Sequence, residues 1–194
     1  MSDVSNDRFP RLRVEDLDDE QRRAIAPVLE YAGGIRGPFN ATLRSPRLTE
    51  TSFTLGSYLL FETGLPRRLV EMAILISARL SGSRFEWWAH HRRALEEGLD
   101  AGICDALRVG RRPEAMSGEE AALFDLAVEV LTRPAVSDAT FARARDAFGE
   151  RGVVDFTYLL GFYGMISLVL KVAGEEPPQD GPTLEPMAAP FSVH

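Results

Sequence analysis

Two stretches of the chain hold residues whose types and spacing could move protons. Within Leu69 to Ala78, Glu71 is the only charged side chain among mostly apolar neighbours. Such a carboxylate lies either on an exposed seam of a helix or in the interior, where loss of solvation disfavours its charged form. Further on, Glu86 and His90 stand four residues apart and share one face of a helix. A carboxylate beside an imidazole holds the ring's tautomer and orientation and favours the protonated ring, which makes a proton-transfer couple near neutral pH. The same spacing equally suits a structural hydrogen-bonded pair, and spacing alone leaves both readings open.

Trp87 and Trp88 add large apolar area beside this pair, and on a helix the two must point to different faces. His91 lies about 100° round the helix from His90, so it cannot share the same site and is expected at the surface or a subunit contact. No glycine-rich phosphate loop is present; GSYLLFETG lacks the lysine and the spacing. With three histidines and one cysteine, Cys104, the chain offers no spaced zinc set, no disulfide and no dithiol centre. No metal and no cofactor is expected.

These groups need helices to position them, and the pattern is helical nearly throughout. An irregular lead-in over residues 1–14 precedes a helix from Glu15 to Tyr31, closed by Gly33-Gly34. Ile35 to Pro46, with Pro38-Phe39-Asn40, reads as a loop. Helices are expected over Pro46 to Glu62, Pro66 to Leu80, Phe85 to Glu97 and Ala101 to Val109. Ser117 to Glu120 has the form of a capping box before AALFDLAVEVL. Ser137-Asp138 opens a helix to Phe148, and a last, mostly apolar helix runs from Gly152 to Val172. The expectation is an all-α, single-domain helical bundle of seven or eight helices over residues 15–174, with a Pro-rich tail at 175–194.

A net charge of −7 opposes phosphate-backbone binding, so no nucleic acid is expected. The N-terminal residues are polar where a signal peptide needs an apolar stretch, and the apolar last helix is expected to be buried, against this or another subunit. These features point to a cytoplasmic protein that is not in a membrane.

One stretch is more specific. Phe85-Glu86-Trp87-x-x-His90-x-x-x-Ala94-x-x-x-Gly98 resembles the Tyr-Glu-Trp-x-x-His-x-x-x-Ala-x-x-x-Gly signature of the carboxymuconolactone decarboxylase family. The Pro38-Phe39-Asn40 segment, the Arg-Leu-Val lead into Glu71, and the Ser117 and Phe148-Gly149 stretches are similar in order, so the likeness covers about residues 36–174. The related alkylhydroperoxidase D pattern is Glu, eleven residues, Cys-x-x-Cys, three residues, His. On this chain its Glu and His fall on Glu71 and His90, and its two cysteines on Ser83 and Glu86, which removes the dithiol cycle.

The resemblance implies an alkylhydroperoxidase D-like fold, a trimer or hexamer with active sites near subunit boundaries, and a cofactor-free lyase acting on a small carboxylated lactone or aromatic-derived substrate. It implies His90, Glu86 and Glu71 as catalytic groups, with His90 as proton donor or oxyanion partner, Glu86 orienting it and Glu71 a second acid or base. It also implies Trp87, Ser83, Phe39 and Asn40 as substrate contacts. The alternative is a non-catalytic oligomeric scaffold that keeps the fold.

Overall fold

The computed structural model describes residues 8–178, 181, 183 and 184; residues 1–7 of the lead-in and the rest of the tail lie outside them. Among the described residues there are eight α-helices and no strand. They are α1 (Asp19–Ala32), α2 (Pro38–Thr42), α3 (Pro46–Phe61), α4 (Arg67–Ser81), α5 (Arg84–Glu96), α6 (Ala101–Arg108), α7 (Gly118–Thr132) and α8 (Asp138–Ala173).

The helix starts follow from side chains that accept the otherwise unpaired first-turn N–H groups. The Ser117 to Glu120 box forms as expected: the Ser117 hydroxyl accepts from the Glu120 N–H, and the Glu120 carboxylate accepts from the Ser117 N–H at 2.7 Å. Ser83 caps α5 and Ser137 caps α8. Three boundaries differ from expectation. Asp18 and Gln21 build a second capping box, so α1 starts at Asp19 and Val14–Asp16 forms a separate 3-10 turn. The expected loop at 35–46 contains α2, because Pro38 fits a first helical turn as well as it fits a turn. The last two expected helices run as one element broken at Gly149, whose φ of 69° is open to glycine.

α4 is the central rod. Every residue from Leu69 to Arg79 is buried, and α5, α6, α7 and α8 pack around it. A second, smaller cluster joins Leu17, Ile25 and Val28 to Leu43, with Phe39 and Phe53 against it. The α1 to α3 layer packs on α8 through α2 and α3, and together with α5 and α8 it encloses the cavity described below.

The part of α8 after Gly149 is long and apolar enough to cross a membrane, and half of that stretch is buried inside the fold. Its outer face keeps Val154, Tyr158, Met165, Leu168 and Val172 exposed. With Gly161 these follow a four-three spacing, the spacing of a helix-packing seam.

Candidate active site

Glu71 sits in the middle of α4 with no exposed surface, so the solvated reading of this residue does not hold. A buried carboxylate must be paired, and this one is paired twice. Its Oε1 accepts from Arg67 Nη2 at 2.9 Å, one helical turn earlier, and its Oε2 lies 2.7 Å from His90 Nδ1 on α5. Arg67 is itself held, donating to the Leu60 carbonyl and lying 4.9 Å over the Phe61 ring. Facing this carboxylate suits the tautomer with hydrogen on Nδ1, which leaves Nε2 on the Glu86 side.

His90 Nε2 points toward Glu86, whose Oε2 is 3.5 Å away. That distance is too long for a strong hydrogen bond, so Glu86 is not tied down as Glu71 is. Burial pushes the Glu86 carboxyl above its ordinary range; His90 and Arg93 oppose the shift and Glu71 adds to it. The edge of the His90 ring meets Tyr163 of α8, centroids 5.0 Å apart at 87°. Burial raises the Tyr163 phenol well above its usual value, and the Glu86 and Glu71 charges add to that, so it stays a neutral donor.

Glu86, His90 and Tyr163 open onto a cavity of about 730 Å³. Its walls come from α1, α2, α3, α5 and α8 and carry several aromatic rings; Phe39, Phe53, Trp88 and Phe162 are among them. Arg36, Arg92 and Arg93 supply positive charge, and Arg93 is half-buried. Arg93 donates to the Tyr31 hydroxyl at 3.1 Å and makes no ion pair among the described residues.

The expected site residues therefore divide. Glu86, His90 and Phe39 line the cavity, and Glu71 lies directly behind His90. Trp87 does not: it is fully buried in the main core, while Trp88, about 100° further round α5, faces the cavity. Ser83 is occupied as the α5 cap. Asn40 turns away from the cavity to tie down the lead-in, accepting from the Leu12 N–H at 3.0 Å and donating to the Phe9 carbonyl at 3.3 Å. His91 is half-buried rather than free at the surface, its ring 5.6 Å from Trp87, and burial lowers its pKa.

The expected roles of the two glutamates are exchanged by this geometry, since Glu71 holds the ring and Glu86 faces the cavity. On the sequence alone Arg67 and Tyr163 have no place in the site, and Trp88 is only apolar area beside Glu86 and His90. Only Arg67 left a local signal, four residues before Glu71. Among the described residues no group of three His, Cys, Asp or Glu side chains is arranged to hold a metal ion. Cys104, on α6 outside the cavity lining, is buried, and that burial pushes its thiol up to about 12.

No protein-family model and no curated protein matches the sequence. Two solved structures resemble the fold. One is a protein of unknown function from Agrobacterium tumefaciens, described as a candidate antioxidant defence protein AhpD. It has a TM-score of 0.67 and 19% identity over 75% of this chain and 100% of that one. The other is an uncharacterised peroxidase-related protein with an alkylhydroperoxidase AhpD core, from Ralstonia eutropha JMP134. It has a TM-score of 0.74 and 19% identity over 89% of this chain and 93% of that one. The chain has the all-helical AhpD-like fold.

Proposed function

We propose that this chain is a cofactor-free lyase of the carboxymuconolactone decarboxylase type, removing carbon dioxide from, or moving a proton on, an unsaturated carboxylated substrate. The observation that carries this reading is the Arg67–Glu71–His90–Glu86 line ending at an apolar cavity. A fixed imidazole next to an acid with a raised pKa, at the wall of a cavity, is an arrangement suited to general acid–base catalysis.

Arg93 draws the substrate carboxylate into the cavity. Heterolysis of the carbon–carboxylate bond leaves an electron pair that spreads into the substrate's own carbonyl as an enolate, so no external electron acceptor is needed. The Tyr163 hydroxyl, and Glu86 when it carries its proton, donate hydrogen bonds to that oxyanion. The proton that closes the reaction on carbon comes from the Glu86 carboxyl, or from His90 Nε2 when the ring is doubly protonated, and solvent replaces it after each turnover, with Glu71 and Arg67 keeping the ring in place. For an isomerisation the same pair removes a proton from one carbon and returns it to another.

The names of the two similar structures point to peroxidase chemistry. The sole cysteine of this chain is buried, outside the cavity and hard to ionise, so a thiol cycle has no support in its residues. We also read the α8 seam as the contact with further copies of this chain, in a cytoplasmic homo-oligomer. Leu168→Glu should lower the mass measured by light scattering, and an unchanged mass would remove that reading.

The test of function is turnover of carboxylated unsaturated lactones in deuterium oxide, following carbon dioxide and deuterium uptake together. Release of carbon dioxide with deuterium on carbon supports decarboxylation, and uptake alone supports isomerisation. Full turnover by a folded His90→Gln protein would exclude the assignment.

A further inference from the structure

The cavity is large and apolar compared with a single carboxylated ring. At about 730 Å³ it lies in the upper part of the roughly 300–1,000 Å³ range that encloses drug-sized ligands. Its aromatic side chains are also set back rather than packed inward. On one side Tyr31 meets Phe53 and Phe61 edge to face, with centroids 6.2 and 5.9 Å apart. On the other, three rings each rest on a glycine. An added Cβ would stand 2.7 Å from the Phe85 ring at Gly37, 3.0 Å from the Phe162 ring at Gly56 and 2.6 Å from Trp88 at Gly181.

Gly37 has a φ of 57°, so its backbone alone accounts for glycine there. Gly56 lies inside helix α3, where glycine costs about 1 kcal/mol relative to alanine, and what it provides is room. Without a Cβ at these three positions the edge of each ring comes up against the backbone, which leaves room between the walls. Arg93 is the half-buried cation of this wall; among the described residues its side chain bonds and stacks on Tyr31, makes no ion pair, and its charge acts on Glu86.

We propose that the cavity is built for an extended conjugated acid, a flat body of two or three fused rings bearing one carboxylate that Arg93 receives and the ring carbonyl that the reaction above requires. Flat rings fill the gap between the aromatic walls by stacking and edge contacts, and the apolar area they bury grows with each ring. This assigns the substrate class of the site above, and it rests on the catalytic reading only for the word substrate and for that carbonyl.

The test is calorimetric titration of the full chain with benzoate, 2-naphthoate and anthracene-2-carboxylate, with 2-naphthamide as the uncharged control. Affinity should rise by about fivefold or more with each ring, from the added apolar area. Naphthoate should bind about tenfold or more tightly than its amide, and Arg93→Gln should abolish that difference. Gly56→Leu pushes Phe162 into the cavity. It should weaken anthracene-2-carboxylate about tenfold and leave benzoate within about twofold. If its circular dichroism shows misfolding, Gly56→Ala should give the same order with a smaller effect, since one methyl makes Phe162 yield only slightly.

Affinity that is flat or falls with ring number, binding of none of the three acids, or equal weakening of all three in the Gly56 variants would each overturn the proposal. Acids that bind in the expected order while His90→Gln leaves turnover intact would sink the catalytic reading and leave the size rule standing.

Discussion

Two glutamates with little exposed surface, Glu86 and Glu129, are held in opposite ways. Glu129 of α7 accepts from the Ser137 N–H at 2.8 Å, from the Thr140 hydroxyl at 3.1 Å and from the Ser137 hydroxyl at 3.4 Å. Those bonds favour its charge, and the Ser137 N–H does most to pull its pKa down. It locks the end of α7 to the start of α8 and borders no cavity described here. Glu86 has one distant imidazole, a raised pKa and open space before it. A fully bonded acid is a clasp, whereas an under-bonded acid at a cavity wall can exchange a proton. Deep burial with few hydrogen bonds raises the one carboxyl, and a full set of bonds to the charged form lowers the other.

The largest expected effect tests the chemical side of that contrast. His90→Gln should lower kcat by about 10²–10⁴-fold, the usual size of a general acid–base contribution. Steady-state kinetics on the substrate found by the deuterium screen would measure it. The corresponding loss in a protein altered at Glu129 would break the contrast at once.

Glu86→Gln comes next, with about a 10²-fold fall in kcat and a distinctive pH signature. The folded pKa of Glu86 is raised above 4.5, so the stability it contributes is present in full below the unfolded value and is lost as pH rises through the folded value. The glutamine variant should therefore lose less stability than the parent as pH rises above 4.5. Glu129 has the opposite sign. Its folded pKa is depressed, so its contribution is present above 4.5 and disappears as pH falls through the folded value. Glu129→Gln should cost about 1–3 kcal/mol near neutral pH, flatten the acid limb of the melting curve and leave kcat unchanged. Melting temperature against pH for both variants decides this; limbs that shift in the same direction would refute the distinction.

The clasp and the site were not equally legible in the sequence. The helices α3, α4 and α7 announce themselves through Pro46, Pro66 and Ser117 at their starts and through apolar spacing, and the Gly149 break falls between the two expected helices that run as one element. α2 was hidden because Gly37-Pro38 is the same signal for a turn and for a helix start. Glu86 and His90 were readable because both lie on α5, four residues apart. The Glu71 to His90 contact joins two helices, and no local spacing encodes it; only the family resemblance placed them together. Trp87 and Trp88 are equivalent in any composition count, and which one meets the cavity depends on where α4 packs. Tyr163 and Phe162 reach the site from α8, more than seventy residues beyond His90, so they belong to tertiary structure alone.

The smallest expected effect is also the cleanest, because it changes one hydroxyl and nothing in the cavity. Thr140 stands in the first turn of α8, buried, with its Oγ1 donating to Glu129 and accepting from Arg143. Thr140→Val keeps the side chain's shape and removes that donor, while the Ser137 N–H still satisfies the carboxylate. The loss should be about 1 kcal/mol, which lowers Tm by roughly 2–4 °C for a chain of this length. With one fewer bond to its charged form, Glu129 should also begin to lose its contribution at a slightly higher pH. Turnover and the affinities of the ring series should stay within about twofold, because neither Thr140 nor Glu129 lines the cavity. A tenfold fall in kcat at unchanged Tm would mean that the α7 to α8 clasp sets the position of Tyr163 and Phe162 along the same helix, and the two glutamates would then have to be treated as parts of one device.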